Sequence, residues 1–170
     1  MGELYGLACP FYRPDAPGTE YELPTGQWEQ YGAEPLYERF APTAFDRVLR
    51  LRRNVRCDLL HNGEIRIGYT EDGVVRLWVD EVGLWYAADL SRCTGAHQLR
   101  ELIASRSLRG ASVRFIPREY RVFTEGGRRI LEHTEVHLEA FSPVSSPAYT
   151  ATTVGVRGGH PFEPIEGEQL

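Results

Sequence analysis

Between Arg56 and Leu90 the chain runs through four alternating apolar and polar segments, at residues 56–61, 65–70, 74–80 and 84–90. Each gap between them contains glycine, in Asn62-Gly63, Glu71-Asp72-Gly73 and Glu81-Val82-Gly83. Asn-Gly and Asp-Gly accept the positive φ that tight hairpin turns demand, so the pattern predicts an antiparallel meander. Period-two alternation leaves one face of each strand for a core. Similar runs at residues 4–9, 36–40, 111–116, 120–124 and 130–139 continue the theme, with Gly126-Gly127 as a further turn. Helices are expected at only two places. One is residues 43–51, behind Pro42; the other is residues 95–105, where Leu99, Leu102 and Ile103 make an apolar stripe and Thr94 is the expected N-cap. The fold class implied is β-rich α+β, a single antiparallel β-barrel-like domain of about eight short strands with peripheral helices.

At 170 residues the chain fits one domain, since domains cluster at about 100–200 residues. We expect that domain to occupy residues 1–154, followed by a flexible C-terminal tail at 155–170, which is rich in Gly, Pro and Glu. A long Pro- and Gly-rich loop is expected from Pro10 to Gly32, and loops of this kind are often functional, here as a cover over a site. No apolar run approaches the roughly 18–20 residues that cross a bilayer, and the first residues lack a basic, apolar leader. The expectation is a soluble protein that is not secreted. Cys9, Cys57 and Cys93 are too far apart for a zinc pattern and odd in number, so they read as reduced thiols. A net charge of −5 argues against a nucleic-acid partner. The basic run Arg47, Arg50, Arg52, Arg53 and Arg56 reads as a solvated helix end.

Lysine is missing entirely, so all 19 basic residues are arginine. Arginine stays protonated and cannot serve as a base or an imine-forming amine. A Ser–Lys dyad, a Schiff-base enzyme and a P-loop lysine are therefore excluded. A serine nucleophile in this chain must take its base from one of five histidines or from a carboxylate.

Ser112 opens a predicted strand just after Gly110-Ala111, where small neighbours let a substrate backbone approach. His61 ends a predicted strand beside the Asn62-Gly63 turn, at a rim position. His133, Glu135, His137 and Glu139 alternate on one predicted strand and so share a face. That face reads either as a solvated strand side or as a metal face. Two histidines four apart on a strand lie roughly 13 Å from each other, too far to share one ion.

Five segments in order resemble the tailed-phage prohead (capsid maturation) serine proteases. They are Tyr5 to Phe11, Phe40 to Asp46, Leu59-Leu60-His61-Asn62, Leu108 to Phe115 around Ser112, and Phe141 to Tyr149. That family is similar in fold to the herpesvirus assemblin proteases. The resemblance implies Ser112 as nucleophile and His61 as general base, with backbone N–H groups near Gly110 or on a nearby loop expected to bind the oxyanion. For the third member it points to a glutamate at position 140, where this chain has Ala140. Glu139 is adjacent and is assigned that role here, with a bulge needed to turn it inward; His137 is the other candidate. No cofactor is implied. The expected function is a serine endopeptidase that cleaves scaffolding protein, or the scaffolding segment of the major capsid protein, inside the procapsid in the host cytoplasm. Self-association is a further expectation, with neither nucleic acid nor membrane as a partner. The alternative is a catalytically inactive protease-fold protein acting in capsid assembly.

Overall fold

The structure is a computed structural model that describes residues 2–24, 26–27, 29–32, 35–93 and 95–158. Its strands are β1 (Gly2–Pro10), β2 (Tyr21–Glu22), β3 (Leu36–Phe40), β4 (Arg56–Leu59), β5 (Asn62–Tyr69), β6 (Val75–Val79), β7 (Gly83–Asp89), β8 (Gly110–Glu125), β9 (Arg128–Val144) and β10 (Gly155–Gly158). Two helices accompany them, α1 (Asp46–Arg50) and α2 (Ala96–Ala104). The expected Thr94 cap lies outside the described residues; Gly95 precedes α2 with φ of 79°.

Among the described residues the strands form two sheets, and neither closes into a barrel. One sheet has the order β10-β1-β7-β6. The other is organised by β9, which pairs antiparallel with β8 along its whole length. Its opposite edge is shared by β3 at one end and β4 at the other, both parallel to it. The antiparallel expectation fails at these two pairings. The chain runs up β9 as β3, detours through α1, and rejoins the same edge as β4. Hydrogen bonds from Ala41 N to His133 O and from Val136 N to Ala44 O stitch the detour to β9.

The expected meander is likewise divided. β4 pairs with β5 and β6 with β7, but β5 and β6 lie in different sheets. Residues 70–74 do turn as expected, with Asp72 accepting from Tyr69 N and Val74 N and Gly73 at φ of 70°. The turn carries the chain from one sheet to the other instead of closing a hairpin. The expected strands 111–116 and 120–124 are one continuous strand, and Pro117 is tolerated because β8 is an edge strand. The tail expected from Gly155 begins instead with β10, paired to β1; residues 159–170 lie outside the described residues.

The core joins both sheets. Tyr86 of β7 and Phe141 of β9, both fully buried, meet with ring centroids 4.8 Å apart. Phe40, Phe45, Leu84 and Leu138 complete its centre. Beside this core, Arg39 is buried and bonds Glu132 and Glu125, each at 2.8 Å, tying β3 to the outer half of the β8–β9 arm. No helix among the described residues is long and apolar enough to cross a membrane.

Candidate active site

His61 sits at the tip of a two-residue turn between β4 and β5, where Leu59 pairs with Asn62. Leu60 and His61 have φ of 56° and 58°. Both central residues are therefore left-handed, the geometry of a type I′ hairpin. The turn was expected two residues later, at Asn62-Gly63, whose chemistry suits it better. A backbone bond from Leu60 N to Pro143 O, 3.1 Å, instead anchors the turn against the end of β9. Left-handed conformations on side-chain-bearing residues cost about 1–2 kcal/mol each, and such strain collects at functional sites.

The imidazole is half-buried and its Nδ1 lies 3.2 Å from Ser142 Oγ. Ser142 is fully buried on β9 and donates a short hydrogen bond to Asp58 Oδ1. Asp58, also fully buried, takes a second bond from Arg56 Nε at 2.9 Å. Parallel pairing of Arg56 with Ala140 and of Cys57 with Phe141 brings Asp58 level with Ser142.

Ser112 lies directly opposite Ser142 on the antiparallel neighbour β8. Facing residues project to the same side with Cβ atoms about 4.5–5.5 Å apart. The fold thus brings Ser112 beside the hydroxyl that touches His61. Unlike Ser142, Ser112 is only half-buried. His61 lines an open hollow of about 360 Å³ together with Val113, Arg114 and Phe115, the residues that follow Ser112 on β8. The exposed Arg114, two residues beyond Ser112, donates to the His61 carbonyl oxygen at 3.1 Å. His61 is held below its ordinary value of 6.5 by burial and then by the Arg114 guanidinium, against an opposing pull from Asp58. It is a neutral imidazole at neutral pH, the form a base requires.

Glu139 is not brought to this site. A bulge does occur there, since Arg114 pairs with Ala140 and Phe115 with Leu138, leaving Glu139 as the extra residue. It leaves the side chain exposed rather than turned inward. His137 lies elsewhere, in a small cleft with Arg47, Val48, Arg53 and Arg118. A second bulge at Thr134 separates His133 from the solvated side of β9. His133 is buried and bonds Glu38 at 3.0 Å, while Glu135 pairs with Arg47. The shared face expected for these four residues is broken by the two inserted positions.

The described residues of the long loop are placed beside the site. Leu23, Gly26, Gln27, Glu29, Gln30 and Tyr31 line a neighbouring hollow that shares Phe115 with the His61 side. The N–H groups flanking Gly110 are engaged as well: Arg109 N donates to Val144 O and Ala111 N to Thr152 Oγ1. Gly110 is required for a different reason. A Cβ there would stand 2.6 Å from Thr152 Oγ1 and 2.8 Å from Pro147 Cγ. Gly110→Ala should therefore cost about 1–3 kcal/mol by overpacking. Urea denaturation checks this, and a loss under about 0.5 kcal/mol would refute the close-packing account.

The family model of caudovirus prohead serine proteases matches residues 20–161. The chain belongs to that family. No curated protein matches it. The prohead protease match spans His61, Ser112, Asp58, Ser142 and Glu139, while the opening segment Tyr5 to Phe11 falls before it. At the family level this is a serine protease, a hydrolase of peptide bonds that matures capsids. Such a protease acts within an assembling procapsid in the host cytoplasm, on capsid or scaffolding proteins. Asp58 has no place in the family segments found in the sequence. Its one signal is an acid in the apolar run Cys57-Asp58-Leu59-Leu60, three residues before His61, because a buried carboxylate is rare unless paired.

Proposed function

We propose that this chain is an active endopeptidase of procapsid maturation, with Ser112 as nucleophile and His61 as general base. Its substrate is the scaffolding protein or the scaffolding segment of the major capsid protein. The observation that carries the reading is the position of half-buried Ser112, opposite the hydroxyl bonded to His61, with His61 itself lining an open hollow.

Ser112 Oγ attacks the scissile carbonyl carbon while the imidazole takes its proton. The tetrahedral adduct collapses as the C–N bond breaks, and the imidazolium gives that proton to the departing amine. Water then attacks the ester, its proton passing to His61, and the acid leaves as Ser112 recovers its hydrogen. With Arg109 N and Ala111 N engaged, Arg114 is the cation best placed to face the developing oxyanion, on the same strand face as Ser112 and lining the hollow.

The test is co-expression with the capsid protein encoded beside it, read by intact mass. Wild type should yield a defined capsid truncation and Ser112→Ala the full-length mass. Full-length capsid protein in both, with shells still assembling, would favour the inactive assembly protein instead. That alternative draws support from Ala140.

A further inference from the structure

We infer that Ser142 and Asp58 together form the third member of the catalytic set, with the buried Ser142 hydroxyl standing between the imidazole and the carboxylate. The inference rests on the reading of His61 as base and Ser112 as nucleophile, and extends it to two positioning residues.

The argument is one of donors and acceptors. Asp58 offers oxygens that accept, and its two oxygens take bonds from Ser142 Oγ and Arg56 Nε. A serine hydroxyl has a single hydrogen, and here it points to Asp58. Toward His61 the oxygen can then only accept, so the proton of the neutral imidazole must sit on Nδ1. That tautomer leaves the Nε2 lone pair free to take a proton from the nucleophile. When the imidazolium forms, the negative charge of Asp58 stabilises it through the intervening hydroxyl, in a buried setting where such interactions are strong.

Ser142 is the serine whose hydroxyl bonds His61, yet it is ill suited to attack a substrate. It is fully buried, its hydrogen is given to Asp58, and its oxygen receives the imidazole. Ser112 on the facing strand retains partial exposure. The two serines thus divide the work, one reacting and one orienting. Ala140, two residues before Ser142 and fully buried, offers no carboxylate of its own. The carboxylate comes from the next strand, β4.

The experiment uses the full chain and a peptide spanning the capsid cleavage site. Asp58→Asn and Ser142→Ala should each lower kcat by about 10²–10³-fold, below the roughly 10⁴-fold loss for a carboxylate in direct contact with the base. KM should change little, and the double variant should be no worse than the poorer single one, since the two residues act as a unit. Ser142→Thr, which keeps the hydroxyl, should recover most of the loss. The charged groups facing His61 are Asp58 from β4 and Arg114 from β8, and of these only Asp58 holds its value up. Asp58→Asn should therefore move the acid limb of kcat/KM to lower pH. An unmoved limb with additive losses would mean a merely structural role. If these variants fail to fold, the imidazole ¹⁵N shifts of wild type decide: an Nδ1-protonated neutral tautomer is expected, and an Nε2-protonated one overturns the inference. A fluorophosphonate adduct on Ser142 in place of Ser112 would instead overturn the underlying assignment of the nucleophile.

Discussion

His61→Asn should lower turnover of a capsid-site peptide by about 10⁴-fold or more while the melting temperature stays within about 3 °C of wild type. Asparagine is the right probe because His61 has φ of 58°. Asn adopts the left-handed region readily, whereas alanine would add strain to the loss of the base. The pH dependence gives the same site a second signature. Burial first, then Arg114, push the imidazole below 6.5, and Asp58 opposes them. The base is therefore mostly neutral above that value, and the acid limb of kcat/KM should be centred below pH 6.5. The linkage to stability has the same sign. Unfolded chain binds this proton before the folded protein does, so the contribution is complete above 6.5 and is lost as pH falls through the lower folded value. An acid limb centred above 6.5, or a His61→Asn enzyme with more than about 1% of wild-type turnover, would remove His61 from the role of base.

What the sequence could disclose follows from how far apart the cooperating residues lie. Strands, their glycine turns and both helices are local features, and most of them stand where alternation and turn chemistry put them. The turn carrying His61 moved by two residues, from Asn62-Gly63 to Leu60-His61, and a shift of two preserves which face each side chain takes. Its cause is the bond from Leu60 N to Pro143 O, made between residues 83 positions apart, which no local propensity contains. Gly63 still matters after the shift, since it lies against the Arg56 side chain that bonds Asp58. The exposure of Glu139 has a comparable origin. The sequence offers an acid beside the expected place, but burial of Leu138 and Ala140 on either side leaves the extra residue facing solvent. The parallel placement of β4 on β9, which sets Asp58 against Ser142, depends on the α1 detour and is likewise invisible to periodicity. The segments around Ser112 and His61 are short and contiguous, which is why the resemblance singles them out.

Phe40→Ala should destabilise the fold by about 3–5 kcal/mol, the largest loss expected of any side-chain truncation considered for this protein. Phe40 is fully buried at the end of β3. Its ring lies 5.1 Å from Phe115, 5.2 Å from His133, 5.6 Å from Phe45 and 5.6 Å from Tyr149, centroid to centroid. Those neighbours come from β8, β9, the approach to α1 and the loop after β9, so no single element can move to fill the void. A thermal shift of about 10 °C follows for a domain of this size. Ile116→Ala on exposed β8 should change stability by no more than about 0.5 kcal/mol. Measured by urea denaturation, a Phe40→Ala loss below about 1 kcal/mol would mean that the aromatic cluster is not the keystone of this end of the core. The same substitution carries a functional consequence. Phe115 is half-buried, rests edge-on against Phe40, and forms one wall of the hollow beside His61. At temperatures where the variant is fully folded, KM for the capsid peptide should rise while kcat changes less, because the wall has lost its backing and the placement of His61 against Ser142 on β9 has not.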